Sequence, residues 1–182
     1  MNRLKKSCPP LAAIALAWMV SVNANAVTPE RPSPAGAAFV IDAQQASRGE
    51  VVLGQMAADK AQHSEVKDFG LRLVKDHSKA SKELIEFASR RDIALENDLS
   101  AEHQQLSDKL SELSGEDFDE AFVAAMIEDH QKDIAKFKTA ADTLTDPFIV
   151  TFVRQTLPVL DEHWRIAETL QKLMEPVKEQ RQ

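Results

Sequence analysis

The sequence predicts an all-α protein: a four-helix bundle with a short extra helix in one long connection. Three observations carry that expectation. Of 182 residues only 5 are Gly and none is Tyr, and aromatics make up 5 % of a chain that is 43 % apolar. Such a chain is apolar enough for a core, yet too poor in glycine and aromatics for a β-sandwich or barrel. Four long stretches repeat apolar residues with the helical period. Two of the connections between them are short and one is long.

At the N-terminus, residues 1–26 read as a secretory signal. Arg3, Lys5 and Lys6 form a basic start, Leu11 to Val22 a short apolar run, and Ala24-Asn25-Ala26 a cleavage site with small residues where a signal peptidase needs them. The apolar run is short for a membrane span. Cys8, the single cysteine, precedes that run, so a lipoprotein is not expected, and the mature chain would have no disulfide and no thiolate chemistry. Residues 27–36, with Pro29, Pro32 and Pro34, read as a flexible tail, residues 37–175 as the bundle domain, and residues 176–182 as a C-terminal tail. The expected location is periplasmic or secreted.

The first helix is expected from about Ala37 to Ala61, with a stripe of Phe39, Ala43, Ala46, Leu53 and Ala57. The second runs from about Glu65 to Arg91, capped by Ser64, with Val66, Phe69, Leu73, Ala80, Leu84 and Phe87. The third starts near Glu116, where Ser114 and Asp117 have capping-box spacing, and carries Val123, Met126, Ile134, Phe137, Ala141 and Leu144. The fourth starts at Pro147 with Asp146 as its cap and carries Phe152, Thr156, Leu160, Ala167, Leu170 and Met174. Short links make the first and last pairs antiparallel neighbours. The longer middle link holds a short helix near Ser100 to Leu113, with Leu106, Leu110 and Leu113 on one side. One long central crossover is the ferritin-like arrangement; an up-down bundle with an ornamented loop is the alternative.

Each stripe is interrupted once on its core face: by Glu50, His77, His130 and His163 in turn. All four lie near the middle of their helices, so one carboxylate and three imidazoles share one layer to within about a turn. Burying them is costly unless they satisfy one another or bind something. A single divalent transition metal, Fe, Mn, Zn or Cu, is one solution, with Glu50, His77, His130 and His163 as ligands. A closed hydrogen-bonded cluster is the other. An internal echo runs from Leu73–Lys79 to Met126–Lys132 at an offset of 53 residues, with Asp, His and Lys identical, which relates the second and third helices by a pseudo-two-fold axis. Asp76 and Asp129 then point toward neighbouring helices, either orienting a histidine there or pairing with a lysine. Pro158 should kink the fourth helix. His63 in the first turn and His103 on the crossover helix read as solvated, and Asp133 as either an extra oxygen or a solvated group. No triad spacing and no Gly-rich phosphate loop occurs.

These residues resemble an uncharacterised exported bacterial family called domain of unknown function 4142, a ferritin-like four-helix bundle. The matching pieces are Phe39-Val40 with Glu50-Val51-Val52-Leu53-Gly54, Val66-Lys67-Asp68-Phe69, Val74-Lys75-Asp76-His77, and Leu113-Ser114-Gly115-Glu116-Asp117-Phe118-Asp119. They continue with Met126-Ile127-Glu128-Asp129-His130 and Thr156-Leu157-Pro158-Val159-Leu160 with His163, so the resemblance spans Phe39 to Leu173. It implies the fold and export, and no activity. Two-metal ferritin-like sites use a Glu three residues before a His, and here those positions are Val74, Ile127 and Leu160, so a mononuclear site is the better fit.

Without the leader, 19 basic residues face 29 acidic ones, a net charge of −10. That balance argues against a nucleic-acid partner. After signal removal no integral membrane segment is expected. Two function classes remain. One is an exported metal-binding bundle serving envelope stress or metal handling. The other is a metal-free interaction or structural module whose buried cluster holds helix register or senses pH. Whether the chain is an enzyme, its protein partner, and whether it is a monomer or a homodimer stay open.

Overall fold

The computed structural model describes residues 31–175. They form five helices: α1 (Pro34–Lys60), α2 (Ser64–Arg90), α3 (Ala101–Ser111), α4 (Gly115–Thr143) and α5 (Pro147–Met174). There is no strand among the described residues. The signal segment, residues 27–30 of the first expected tail and the whole of the second, residues 176–182, lie outside them.

The helix starts show what the sequence rules catch and miss. α1 begins at Pro34 instead of Ala37, inside the expected tail, because Ser33 Oγ accepts from Gly36 N at 3.1 Å and a proline suits the first helical position. α5 begins as expected, with Asp146 Oδ1 accepting from Phe148 N at 2.9 Å and from Ile149 N at 3.3 Å. Ser64 is not the cap of α2: His63 is, and Ser64 Oγ donates to Glu65 Oε2. The amides of that turn instead donate to a buried carboxylate from another helix, Gln62 N to Asp119 Oδ1 at 3.0 Å and His63 N to Asp119 Oδ2 at 2.7 Å. Ser114 caps α4 with no side-chain bond, so its spacing to Asp117 is not used as a capping box.

These contacts settle the topology. The start of α2 is bonded to the first turns of α4, so the two helices begin at the same end and run parallel. The end of α2 is paired with the start of α5 through Arg91 and Asp146 at 3.2 Å. Lys60, closing α1, donates to Leu110 O and Ser111 O at the end of α3. The chain from Arg91 to Ser114 therefore travels the length of the bundle, and α3 lies along α1 and α4. α1 packs on α2 and α4, and α5 packs on α4 and α2. This is the ferritin-like arrangement; in an up-down bundle α4 would run opposite to α2.

The core comes in two clusters. One holds Leu53, Phe69, Leu73, Phe118, Phe122, Met126, Ala167 and Leu170 among others, and the second holds Val40, Leu84, Phe87, Ile134, Phe137, Ile149, Phe152 and Leu160. The stripe of α4 turns inward at Ala140, and Ala141 is exposed, since a three-residue step from Phe137 keeps the seam facing α5 better than a four-residue one. α5 continues through Pro158, which lies exposed on its outer side. α1 and α2 approach closely at Gly54 and Gly70: a Cβ on Gly54 would stand 2.7 Å from Gly70 O, and one on Gly70 would stand 2.5 Å from Gly54 O. Neither backbone oxygen can yield without the helices separating. Gly70→Ala is therefore expected to cost about 1–3 kcal/mol, read as a lower urea midpoint at unchanged slope. Stability equal to wild type would show that the helices part freely.

Candidate metal centre

The layer between the two hydrophobic clusters holds the residues that interrupt the stripes. Glu50, His77, His130 and His163 are all buried, between 0 and 5 % exposed. The three imidazoles converge, each offering a nitrogen within 4.8 Å of the others. Ring centroids lie 5.7 Å apart for His77–His130 and 5.3 Å apart for both His77–His163 and His130–His163.

The hydrogen bonds determine where the protons sit. His130 Nδ1 is 2.9 Å from Met126 O, one turn back on α4. A carbonyl can only accept, so Nδ1 carries the hydrogen. His163 Nε2 is 3.1 Å from Asp76 Oδ2, so by the same rule Nε2 donates. In neutral rings the opposite nitrogens, His130 Nε2 and His163 Nδ1, are then both bare. Those two atoms face each other at 3.3 Å. His77 Nε2 is also buried and has no hydrogen-bond partner.

A proton is a poor filler for this gap. Burial, then the neighbouring His163, lowers His130 to about 4. Burial holds His77 well below the ordinary histidine range, with His130 and His163 adding repulsion. Burial also lowers His163, against the opposing pull of Asp76. The rings are thus neutral near pH 7, with the bare nitrogens of His130 and His163 close to the unpartnered His77 Nε2, an arrangement that could hold a metal cation. Asp76 does what its position one residue before His77 allows: it orients a histidine of the next helix. Arg72 holds it in turn, with Nε 3.4 Å from Asp76 Oδ2 and Nη2 2.8 Å from Glu162 Oε2. Neither Asp76 nor Asp129 pairs with a lysine among the described residues.

Glu50 is not gathered with the three histidines. Its carboxylate groups with His103 and Asp129, one ligand atom from each within 4.8 Å. The topology explains this. The histidines come from α2, α4 and α5, whereas α1 packs on α2 and α4, across the bundle from α5. Burial raises Glu50 well above the ordinary carboxylate range, and the charges of Asp129 and Asp133 raise it further. His103, which the sequence reads as solvated, is mostly buried. Its ring lies against Gly49, in space that a Cβ there would fill, and Ser100 Oγ stands 2.8 Å from its Nδ1. The signal in the sequence was Gly49 itself, a glycine in a helix interior directly beside Glu50. Asp133 is also largely buried, and burial lifts it to about 6. His63 serves as the cap residue of α2.

A family model described as domain of unknown function (DUF4142) matches residues 22–170. No curated protein matches the chain. Two solved structures share its fold. A DUF305 fragment from Deinococcus radiodurans is 18 % identical with a TM-score of 0.71, over 79 % of this chain and 99 % of that one. A protein from Streptomyces coelicolor described as "putative secreted protein DUF305" is 15 % identical with a TM-score of 0.68, over 77 % of this chain and 92 % of that one.

The depressed value of His130 has a consequence for pH. Between about 4 and the unfolded value near 6.5, the unfolded chain holds a proton that the folded chain does not. Its contribution to stability is complete above that window and is lost as the pH falls through it. Asp133 and Glu50, both raised, act in the opposite direction. The comparison is therefore wild type against His130→Gln, both treated with chelator and unfolded in urea. The stability of wild type relative to the variant should fall by on the order of 3 kcal/mol from pH 6.5 to 4. Parallel profiles would mean that His130 titrates normally.

Proposed function

Since the chain belongs to the family called domain of unknown function 4142, we propose that it is an exported four-helix bundle that binds a divalent transition metal through His77, His130 and His163, and that it serves metal handling in the cell envelope. One observation carries this reading: two bare imidazole nitrogens face each other at 3.3 Å in a buried layer, beside a third buried ring whose Nε2 has no partner. Two of the rings are oriented from behind, His130 by Met126 O and His163 by Asp76, as metal-bound histidines usually are. Three imidazoles suit Zn or Cu(II), and also Fe or Mn, and the affinity order favours the first two. Glu50, in the same layer, lies outside the set, grouped with His103 and Asp129. Export is supported by the basic and apolar pattern of residues 1–26, and among the described residues no helix is long and apolar enough to cross a membrane.

The competing reading is a metal-free core that responds to pH, favoured by the low value of His130. Elemental analysis of untagged protein purified from its native source separates the two. Near-stoichiometric metal is expected at the three histidines, so the His77→Ala, His130→Ala double variant should hold one equivalent less than wild type while helicity by circular dichroism is retained. Equal metal content in both proteins, or none in wild type after incubation with Fe, Mn, Cu and Zn, would leave the pH-responsive core.

Asp76→Asn gives a finer check. Losing the carboxylate behind His163 should weaken metal binding by about 10–100-fold in a competition titration without removing it. Unchanged affinity would mean that His163 is not a ligand.

A further inference from the structure

We propose that Glu50, His103 and Asp129 form a second divalent-cation position, separate from the three histidines and completed by the crossover helix α3. The three side chains come from α1, α3 and α4, and each offers one ligand atom within 4.8 Å of the other two. Two of those groups carry orphaned oxygens: Glu50 Oε2 and Asp129 Oδ2 are both buried without a hydrogen-bond partner. The Glu50 residue is 1 % exposed, and the Asp129 side chain 13 %. Two carboxylates brought together out of water repel each other and lose their hydration. What faces them is an imidazole, His103 Nε2, 3.9 Å from Asp129 Oδ2. The two lysines that follow Asp129 on α4 are engaged elsewhere. Lys132 is held by Glu102 at 2.7 Å and Glu128 at 2.8 Å, and Lys136 lies 3.9 Å from Asp133.

A divalent cation would satisfy both orphaned oxygens at once. Two oxygens and one nitrogen make a harder ligand set than three imidazoles, so this position favours Mn²⁺ or Fe²⁺. The ring of His103 is prepared for the task. Ser100 Oγ accepts from the His103 backbone N–H at 3.1 Å and stands at Nδ1, which leaves Nε2 toward Asp129. Gly49 leaves room for the ring against α1. The bound cation would also clip the crossover to α1 and α4. The position stands on its own geometry and does not depend on metal at the three histidines.

The test is equilibrium dialysis of the chelator-treated, untagged full chain against Mn²⁺, with bound metal counted and helicity followed by circular dichroism. Wild type and the His77→Ala, His130→Ala variant should both bind Mn²⁺ with similar affinity at this position. His103→Asn and the Glu50→Gln, Asp129→Asn double variant should bind it at least about tenfold more weakly. Gly49→Ala, which alters no ligand, should do the same by displacing the His103 ring. If the double variant fails to fold, His103→Asn decides alone, since α3 contributes only that side chain. Mn²⁺ binding unchanged in His103→Asn, or absent from wild type, overturns the proposal. Binding lost equally from the His77→Ala, His130→Ala variant means one shared centre and also overturns it. Retention there, with loss in His103→Asn, supports this position whatever the fate of the tri-histidine set.

Discussion

Between the two hydrophobic clusters of the bundle lies a layer of buried ionisable side chains, and each cluster ends where that layer begins. Burying one unsatisfied charge costs several kcal/mol, a sizeable share of the stability of a domain this size. The layer meets that cost by staying neutral and by being held from outside. Burial keeps the histidines unprotonated. Met126 O and the Asp76 carboxylate absorb one ring hydrogen each. The remaining nitrogens and carboxylate oxygens are left without donors, and the proposed metal binding rests on this surplus of lone pairs.

The crossover connection shapes how the surplus is divided. Because α2 and α4 run parallel on opposite corners, α5 touches both, and α1 touches both from the other side. Histidines from α2, α4 and α5 gather on the side of α5. Glu50, on α1, is left to face α4 and whatever lies outside it. The returning chain lays α3 there, and Gly49 gives His103 room to enter. A short loop between α2 and α4 would have supplied no such side chain.

The internal echo fits this geometry. The echo pairs α2 with α4, which run parallel. Under it, Asp76 facing His163 corresponds to Asp129 facing Glu50. Asp76 meets His163, which donates to it at 3.1 Å, whereas Asp129 lies with Glu50 and its Oδ2 stands 3.9 Å from His103 Nε2, beyond hydrogen-bond distance. Echoed positions thus end differently, with a satisfied Asp76 and an orphaned Asp129.

Much of this was legible from periodicity alone. The helical repeat, broken once per stripe, identified Glu50, His77, His130 and His163 as core residues at mid-height, because which face a side chain occupies in a helix depends only on spacing. Proline and aspartate before Phe148 announced the start of α5 through local hydrogen bonding. Spacing could not say which corner of the bundle each helix takes, and so could not tell that Glu50 belongs with Asp129 and His103. Nor could it show that Asp119, from α4, would accept from the amides of Gln62 and His63 in the turn before α2. Periodicity is a property of one helix and its own backbone, whereas the grouping of the buried histidines and carboxyl groups, the burial of His103 and the direction of α4 depend on contacts between residues tens of positions apart, which only the packed chain brings together.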